Sequence, residues 1–216
     1  MFEERRKKLV NHLLKSGYIK TEKVKKAFLE VPREYFVDEE YKNQAYFDTP
    51  LQIGSGQTIS APHMVAIMCE ALDIKDGQNI LEIGTGSGYH AAIVAKMIGD
   101  NGNVFTVERF EKLSKKAKNN LKKANIKNVT INVSDGSEGL LNNSPYDRIY
   151  VTCAAPDIPK PLINQLKNKG KLLIPVGRTL CKLVLLEKND NQIKEKYLGG
   201  CAFVPLIGKY GHKVLR

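Results

Sequence analysis

Hydrophobic and polar positions follow two rhythms along this chain. From residue 79 onward, short apolar runs alternate with stretches of helical period. The spacing predicts a strand over 79–83, a helix over 89–98, a strand over 103–108 and a helix over 111–124. Strands over 129–133 and 147–153, a helix over 158–168 and a strand over 171–176 follow. Residues 182–188 are Val/Leu-rich, and 193–207 supply further strands. The stretch from Asp135 to Pro145 is too short and glycine-rich to read as a helix. Strands and helices in this order argue for an α/β, doubly wound, mostly parallel sheet covered on both faces.

Before residue 79 the pattern changes. Residues 2–30 read as two amphipathic helices split by Ser16-Gly17. Leu9, Val10, Leu13 and Leu14 form one apolar face; Val24, Ala27, Phe28 and Val31 form the other. Val31-Pro32-Arg33 ends the second helix. Residues 43–60 are rich in Gly, Pro, Gln and Thr and have no helical period. They read as a long connection, which in a compact domain usually carries function. Ser60-Ala61-Pro62-His63 then opens a helix containing Val65, Ile67, Met68 and Leu72. One domain over 1–216 is expected, with 1–60 as the helical amino-terminal extension and connection and 61–216 as the α/β core.

Composition adds compartment and excludes some partners. The 216 residues are 42% hydrophobic and 26% charged, ordinary for a globular chain. No apolar run approaches the roughly 20 residues of a membrane span, and the start, Phe2-Glu3-Glu4-Arg5-Arg6-Lys7-Lys8, lacks a signal-peptide core. Cys69, Cys153, Cys181 and Cys201 are scattered without C-x-x-C spacing, so neither zinc nor a dithiol redox motif is suggested. Reduced thiols and a cytoplasmic location are the expectation. The net charge of +11 invites a nucleic-acid partner. Yet Lys112, Lys115, Lys116, Lys118, Lys122 and Lys123 surround one predicted helix rather than stripe it, and no arginine-aromatic interleaving offers a stacking platform.

The chemistry concentrates at strand ends. Ile80-Leu81-Glu82-Ile83-Gly84-Thr85-Gly86-Ser87-Gly88-Tyr89 is a buried strand followed by a glycine-rich turn into a helix. Tyr89 stands where the dinucleotide fingerprint wants glycine, so that reading is disfavoured. A G-x-G-x-G loop preceded by an acid such as Glu82 is the usual form of an S-adenosylmethionine site, whose ammonium and sulfonium suit a carboxylate. Glu108, ending the next strand, can accept hydrogen bonds from ribose hydroxyls. Asp135-Gly136 ends the third. Three successive strand ends thus put polar groups on the edge where open α/β sheets bind ligands. A second constellation, Asp48 to His63, gathers small polar groups before a helix, with Ser60 and His63 facing roughly the same side. On local sequence, Ser60 reads equally as a helix cap and His63 as a packed histidine.

These segments resemble the protein-L-isoaspartate (D-aspartate) O-methyltransferases. The match runs from Val31-Pro32-Arg33 to Phe203-Val204-Pro205-Leu206 and rests on Pro50–His63, Leu81–Tyr89, Asp147–Pro156 and Gly170–Gly177. The resemblance implies a Rossmann-like S-adenosylmethionine-dependent enzyme. It would methylate the free α-carboxylate of L-isoaspartyl, and also D-aspartyl, residues in age-damaged proteins, beginning repair through a succinimide. It implies that Ser60 is the active-site serine and that Thr58, Ile59 and His63 lie beside it at the substrate. It implies cofactor contacts from Gly84, Thr85, Gly86, Glu108, Asp135 and Gly136, to which the loop chemistry adds Glu82 and Gly88. No nucleic acid, membrane or metal is expected, and a monomer is. Ser134 and Cys153 depart from the family pattern, where glycine and alanine are usual. A methyltransferase of RNA or a small molecule, and a non-catalytic domain of this fold, are the alternatives. The first leaves Pro50–His63 unexplained; the second predicts damage to the glycine loop, Glu108 or Ser60. Asn101-Gly102, between a helix and a strand, is expected to be an exposed, mobile turn open to succinimide formation.

Overall fold

The computed structural model describes residues 1–190 and 192–213. Helices α1 (Phe2–Lys15) and α2 (Glu22–Glu30) precede a hairpin of β1 (Leu51–Gly54) and β2 (Gln57–Ile59). Helix α3 (Pro62–Leu72) leads into β3 (Asn79–Ile83), α4 (Tyr89–Ile98), β4 (Asn103–Glu108), α5 (Glu111–Lys123) and β5 (Val129–Val133). The chain continues through β6 (Tyr146–Val151), α6 (Lys160–Asn164), β7 (Leu166–Gly177), β8 (Cys181–Asn189) and β9 (Gln192–Cys201).

The seven long strands form one sheet in the order β5-β4-β3-β6-β7-β8-β9. The first five run parallel, and β8 and β9 are antiparallel additions. The chain steps outward from β3 through β4 to β5, then returns across the sheet to β6 on the other side of β3. The carboxyl ends of β3 and β6 therefore flank the point where winding reverses, where such sheets form a crevice. Ile80 and Leu81 belong to different apolar clusters, as alternation along a strand sheathed on both faces requires. One cluster joins the sheet to α1–α4; the other lies beneath α6 and Leu206.

Two stretches differ from the sequence pattern. The connection expected over 43–60 contains the β1–β2 hairpin, with Leu51, Ile53 and Ile59 buried and Gly54, Ser55 and Gly56 at φ of 93°, 54° and 68°. Three successive positive φ values close a turn that periodicity alone does not reveal. The helix expected over 158–168 stops at Asn164, because Leu166 pairs with Tyr146 at the start of β7. Parallel pairing overrides the local period there. The Asn101-Gly102 turn is held more tightly than its sequence suggests. Asn101 is exposed, but Gly102 is buried, its N–H donates to the Gly99 carbonyl, and its own carbonyl accepts from the Asn128 amide.

Arg33 ties the amino-terminal extension to the rest. Its side chain is fully buried. Nε donates to the Ala45 carbonyl at 2.9 Å and Nη2 to the Thr49 carbonyl at 3.4 Å, while the guanidinium lies 4.8 Å from the Tyr89 ring centroid. Burial pulls its pKa down, against the opposing pull of Tyr89 and Asp48. A lysine would keep the charge and lose the planar fork. Arg33→Lys is expected to cost roughly 1–3 kcal/mol in urea unfolding; an unchanged midpoint would remove this anchor from the account.

Candidate functional site

The glycine loop leaves β3 and enters α4 with Gly84, Gly86 and Gly88 at φ of 97°, 53° and 87°. At Gly84 a Cβ would also sit 2.4 Å from Thr152 Oγ1. That hydroxyl donates to the Gly84 carbonyl at 2.6 Å, so β6 clamps the loop where β3 ends. Gly88 has a different duty. A Cβ there would press on Leu121 and Ala117, so this glycine lets α4 lie close to α5.

Glu108 holds the loop from the neighbouring strand. Its Oε2 accepts from Gly86 N at 2.9 Å and its Oε1 from Phe110 N at 3.0 Å. Each oxygen keeps a further lone-pair site. Glu108, Gly84, Gly86 and Gly136 line one cleft of about 540 Å³, closed on the far side by Val204 to Ile207. A Cβ at Gly136 would stand 2.6 Å from Ile83 Cγ2, so only glycine fits this strand end. Asp135 is not among the lining residues. Its Oδ1 accepts from the N–H and hydroxyl of Ser137, and its Oδ2 accepts from Lys209 N at 2.7 Å. Burial alone would raise its pKa, but these hydrogen bonds outweigh burial and hold it below the usual carboxylate value. The carboxylate thus fastens the carboxyl-terminal segment that carries the cleft's far wall.

A second, smaller cavity opens beneath the loop. Thr58, Ile59, Ser60, Glu82, Gly84, Thr85, Gly86 and His90 line it. Glu82 is fully buried and accepts from Thr106 Oγ1 at 2.6 Å; Thr106 also meets Thr85 Oγ1 at 2.7 Å. Oε1 of Glu82, Nδ1 of His90 and the Tyr150 hydroxyl are buried without partners among the described residues. The His90 and Tyr150 ring centroids lie 4.4 Å apart, with the ring planes tilted by 40°. Burial is the main reason that the Glu82 pKa rises to about 8, with the Thr106 hydrogen bond opposing and Glu108 reinforcing the shift. Burial likewise pulls His90 down to about 3. At neutral pH this pocket holds a largely protonated acid and a neutral imidazole.

A third cleft, about 1070 Å³ and open to the surface, is lined by Pro50, Thr58, Ser60, His63, Met64, Thr152 and residues 200–204. Thr58 lines all three spaces, and Ser60 stands between the second and third. The Ser60 hydroxyl does not cap α3: Ala61 holds the N-cap position and provides no side-chain bond. Asp48 takes that duty instead. Its Oδ1 accepts from His63 N at 2.8 Å and lies 2.9 Å from His63 Nδ1. The imidazole also packs on Tyr18, with ring centroids 5.4 Å apart. Sequence reasoning assigned no role to Asp48 or Thr152. Both lie inside segments already singled out, but partners distant in sequence define their roles.

Glu82 gives a pH test. Its folded pKa exceeds the ordinary carboxylate value, so its contribution to stability is complete below about pH 4.5 and is lost as pH rises through about 8. Glu82→Gln mimics the neutral acid. Without ligand, the variant should match wild type near the lower limit and become the more stable protein above the upper one, by about 2–4 kcal/mol. Parallel stability curves across that range would show that Glu82 does not ionise there.

Comparison with known proteins identifies the family of the chain. Residues 4–211 match the family model described as protein-L-isoaspartate(D-aspartate) O-methyltransferase. A protein-L-isoaspartate O-methyltransferase of Methanococcus aeolicus is 54% identical over 203 residues, covering 94% of each chain. One from Archaeoglobus fulgidus is 50% identical over 216 residues, covering 100% of this chain and 98% of its own. A solved protein-L-isoaspartate O-methyltransferase superimposes with a TM-score of 0.87 at 32% identity, over 95% of this chain and 67% of its own. A candidate protein-L-isoaspartate O-methyltransferase from Plasmodium falciparum, solved with S-adenosyl-L-homocysteine, gives 0.82 at 28% identity, over 94% and 98%. This chain belongs to the protein-L-isoaspartate(D-aspartate) O-methyltransferase family.

Proposed function

We propose that this protein transfers a methyl group from S-adenosylmethionine to the free α-carboxylate of L-isoaspartyl, and also D-aspartyl, residues in damaged proteins, the first step of repair through a succinimide. The observation that carries this reading is the placement of Ser60 and Thr58. They line both the cavity under the glycine loop and the open cleft, so donor and acceptor sites share a wall.

The chain's own groups suit the cofactor. Glu108 has free lone pairs facing a cleft whose loop is held open by glycines, fit for ribose hydroxyls. Gly136 and Val204 to Ile207 leave a flat slot for a base. The unpartnered Oε1 of Glu82, with Gly84, Thr85 and Gly86, suits the amino-acid portion, whose ammonium would favour the ionised carboxylate over the protonated form that burial favours in its absence. Gly88 and Asp135 support the site from behind, through α5 and the carboxyl-terminal segment. When bound, the cofactor supplies an electrophilic methyl group on a positively charged sulfur.

The acceptor needs little activation. A carboxylate has an ordinary pKa near 4, so it is ionised at neutral pH without a general base. The protein's task is placement and exclusion of water. Ser60 donates a hydrogen bond that orients the carboxylate, with Thr58 and Ile59 shaping the passage between the spaces. His63, fixed by Asp48 and Tyr18, walls the open side. The extended rim from Gly200 to Val204 accommodates peptide. The following peptide nitrogen then attacks the ester carbonyl and displaces methanol, closing the succinimide without help from the enzyme.

The shared apolar cluster of α1–α4 and the sheet supports one domain over 1–216. No described helix is long and apolar enough to cross a membrane. Within the proposal the protein works as a cytoplasmic monomer without nucleic acid.

Two variants test the division of labour. Ser60→Ala should lower methylation of an isoaspartyl peptide by roughly 10²-fold, with affinity for S-adenosyl-L-homocysteine near wild type; full turnover would remove Ser60 from the chemistry. Glu108→Ala should weaken S-adenosyl-L-homocysteine by about tenfold or more, the scale of one charge-assisted hydrogen bond. Calorimetry that returns the wild-type affinity would take Glu108 out of the ribose site.

A further inference from the structure

Two thiols outside the methyl-transfer chemistry face each other across strands. Cys181 opens β8 and Cys201 closes β9, and the antiparallel register places them directly opposite. Opposed residues of an antiparallel pair point to the same face, with Cα atoms about 4.5–5.5 Å apart. That span lies within the roughly 4.4–6.8 Å of disulfide geometry. The contact agrees: Cys201 Sγ donates to the Cys181 carbonyl at 3.6 Å. On its other side Cys181 faces Gly177 of β7, which presents no side chain. Gly199 and Gly200 precede Cys201, and Gly199 takes a φ of 137°, so the end of β9 can adjust without side-chain clashes.

Access is unequal. Cys181 is 2% exposed, whereas Cys201 is partly exposed and lines the open cleft. Burial, with Cys181 nearby, holds the Cys201 thiol up at about 11, so at neutral pH it is mostly protonated and the reactive thiolate is a small fraction that grows as pH rises. The other two thiols have no such partner. Cys69 meets His90 Nε2 at 3.5 Å, and Cys153 is buried against the Ile83 carbonyl.

We propose that Cys181 and Cys201 form a reversible cross-strand disulfide at the rim of the open cleft when the protein meets a peroxide. Cys201, as thiolate, attacks one peroxide oxygen; the O–O bond breaks and hydroxide leaves. The resulting sulfenic acid is attacked by the Cys181 sulfur, the S–S bond forms, and the sulfenic oxygen leaves as water with the Cys181 proton. Two thiols lose two electrons, and one peroxide becomes two waters. A dithiol reductant reverses the bond by exchange. The bond would tether the strand end that carries residues 200–204. Its effect on peptide binding rests on the cleft reading above; the bond itself does not.

The test treats full-length protein with hydrogen peroxide, blocks remaining thiols with iodoacetamide and maps the peptides by mass spectrometry without reduction. The expected result is one linked pair of peptides containing Cys181 and Cys201, lost on dithiothreitol treatment, with Cys69 and Cys153 alkylated only after unfolding. Cys181→Ala should show no linked pair. Oxidation that stops at Cys201 sulfinic acid, or no linked pair in folded wild-type protein, overturns the proposal, and this readout does not depend on the variant folding. In parallel, KM for an isoaspartyl peptide should rise several-fold on oxidation with kcat little changed, while S-adenosyl-L-homocysteine affinity stays within about twofold. A linked pair with unchanged KM supports the disulfide and removes residues 200–204 from the peptide site.

Discussion

The buried guanidinium of Arg33 is the constraint on which the site's assembly depends. A charge without solvent costs several kcal/mol unless polar groups surround it. Arg33 offsets part of that cost with the carbonyls of Ala45 and Thr49 and the face of Tyr89, while its Nη1 has no hydrogen-bond partner among the described residues. Those contacts reach two parts of the molecule distant in sequence, which the apolar cluster around Phe28, Phe36 and Tyr89 also joins. Ala45 and Thr49 bracket the segment that delivers Asp48, and Tyr89 begins the helix that follows the glycine loop. A second polar group of the extension repeats the arrangement. Tyr46, which donates to Glu34, accepts from Arg6 Nε at 2.9 Å, drawing α1 onto the same segment. The amino-terminal extension is therefore the support of the segment from Asp48 to His63, not a separate appendage.

Opposite this scaffold, the sheet holds its ligand edge together by carboxylates that are largely committed to backbone N–H groups. Glu108 fixes the glycine loop and the start of α5, and Asp135 fixes the carboxyl-terminal segment. Such bonds pre-orient the cleft before anything enters it, which lowers the ordering cost of binding. Glu82 is the exception. It bonds Thr106 and leaves one oxygen unpaired beside the unpaired groups of His90 and Tyr150. A buried polar group without a partner destabilises the empty protein. The cluster marks where the fold has given up stability to keep a polar pocket ready.

Most of this was legible from periodicity and glycine placement. The strands at 79–83, 103–108 and 129–133 follow from apolar runs that must be covered on both faces, and their ends mark the edge where such sheets bind ligands. Two kinds of information stayed hidden. The β1–β2 hairpin depends on positive φ at Ser55 as well as at two glycines, and nothing in a serine announces that. The early start of β7 depends on pairing with Tyr146, a partner twenty residues away. At the site, local sequence could not choose between Ser60 as helix cap and Ser60 as polar wall. The choice was made by Asp48, which occupies the cap from a distance and leaves the serine hydroxyl uncommitted to the helix. Likewise, Asp135 reads as a strand-end acid like Glu108, and only the fold-back of Lys209 shows where its carboxylate goes.

Ser60, His63 and Asp48 are the residue types of a hydrolytic triad, and the structure shows why they do not form one. Asp48 accepts from the His63 backbone and meets its ring with the same oxygen, so one carboxylate both starts α3 and fixes the imidazole. No hydrogen bond of the described residues joins that imidazole to Ser60, so no base is in place to draw the serine proton. A nucleophilic serine would require that base. A serine that only donates to an ionised acceptor requires its absence, since a hydroxyl deprived of its proton would repel a carboxylate. The same reasoning accounts for His90, which burial keeps neutral at the back of the cavity. With one imidazole tied to a helix cap and the other neutral, the site is suited to hold two charged reactants in line, not to move protons between them.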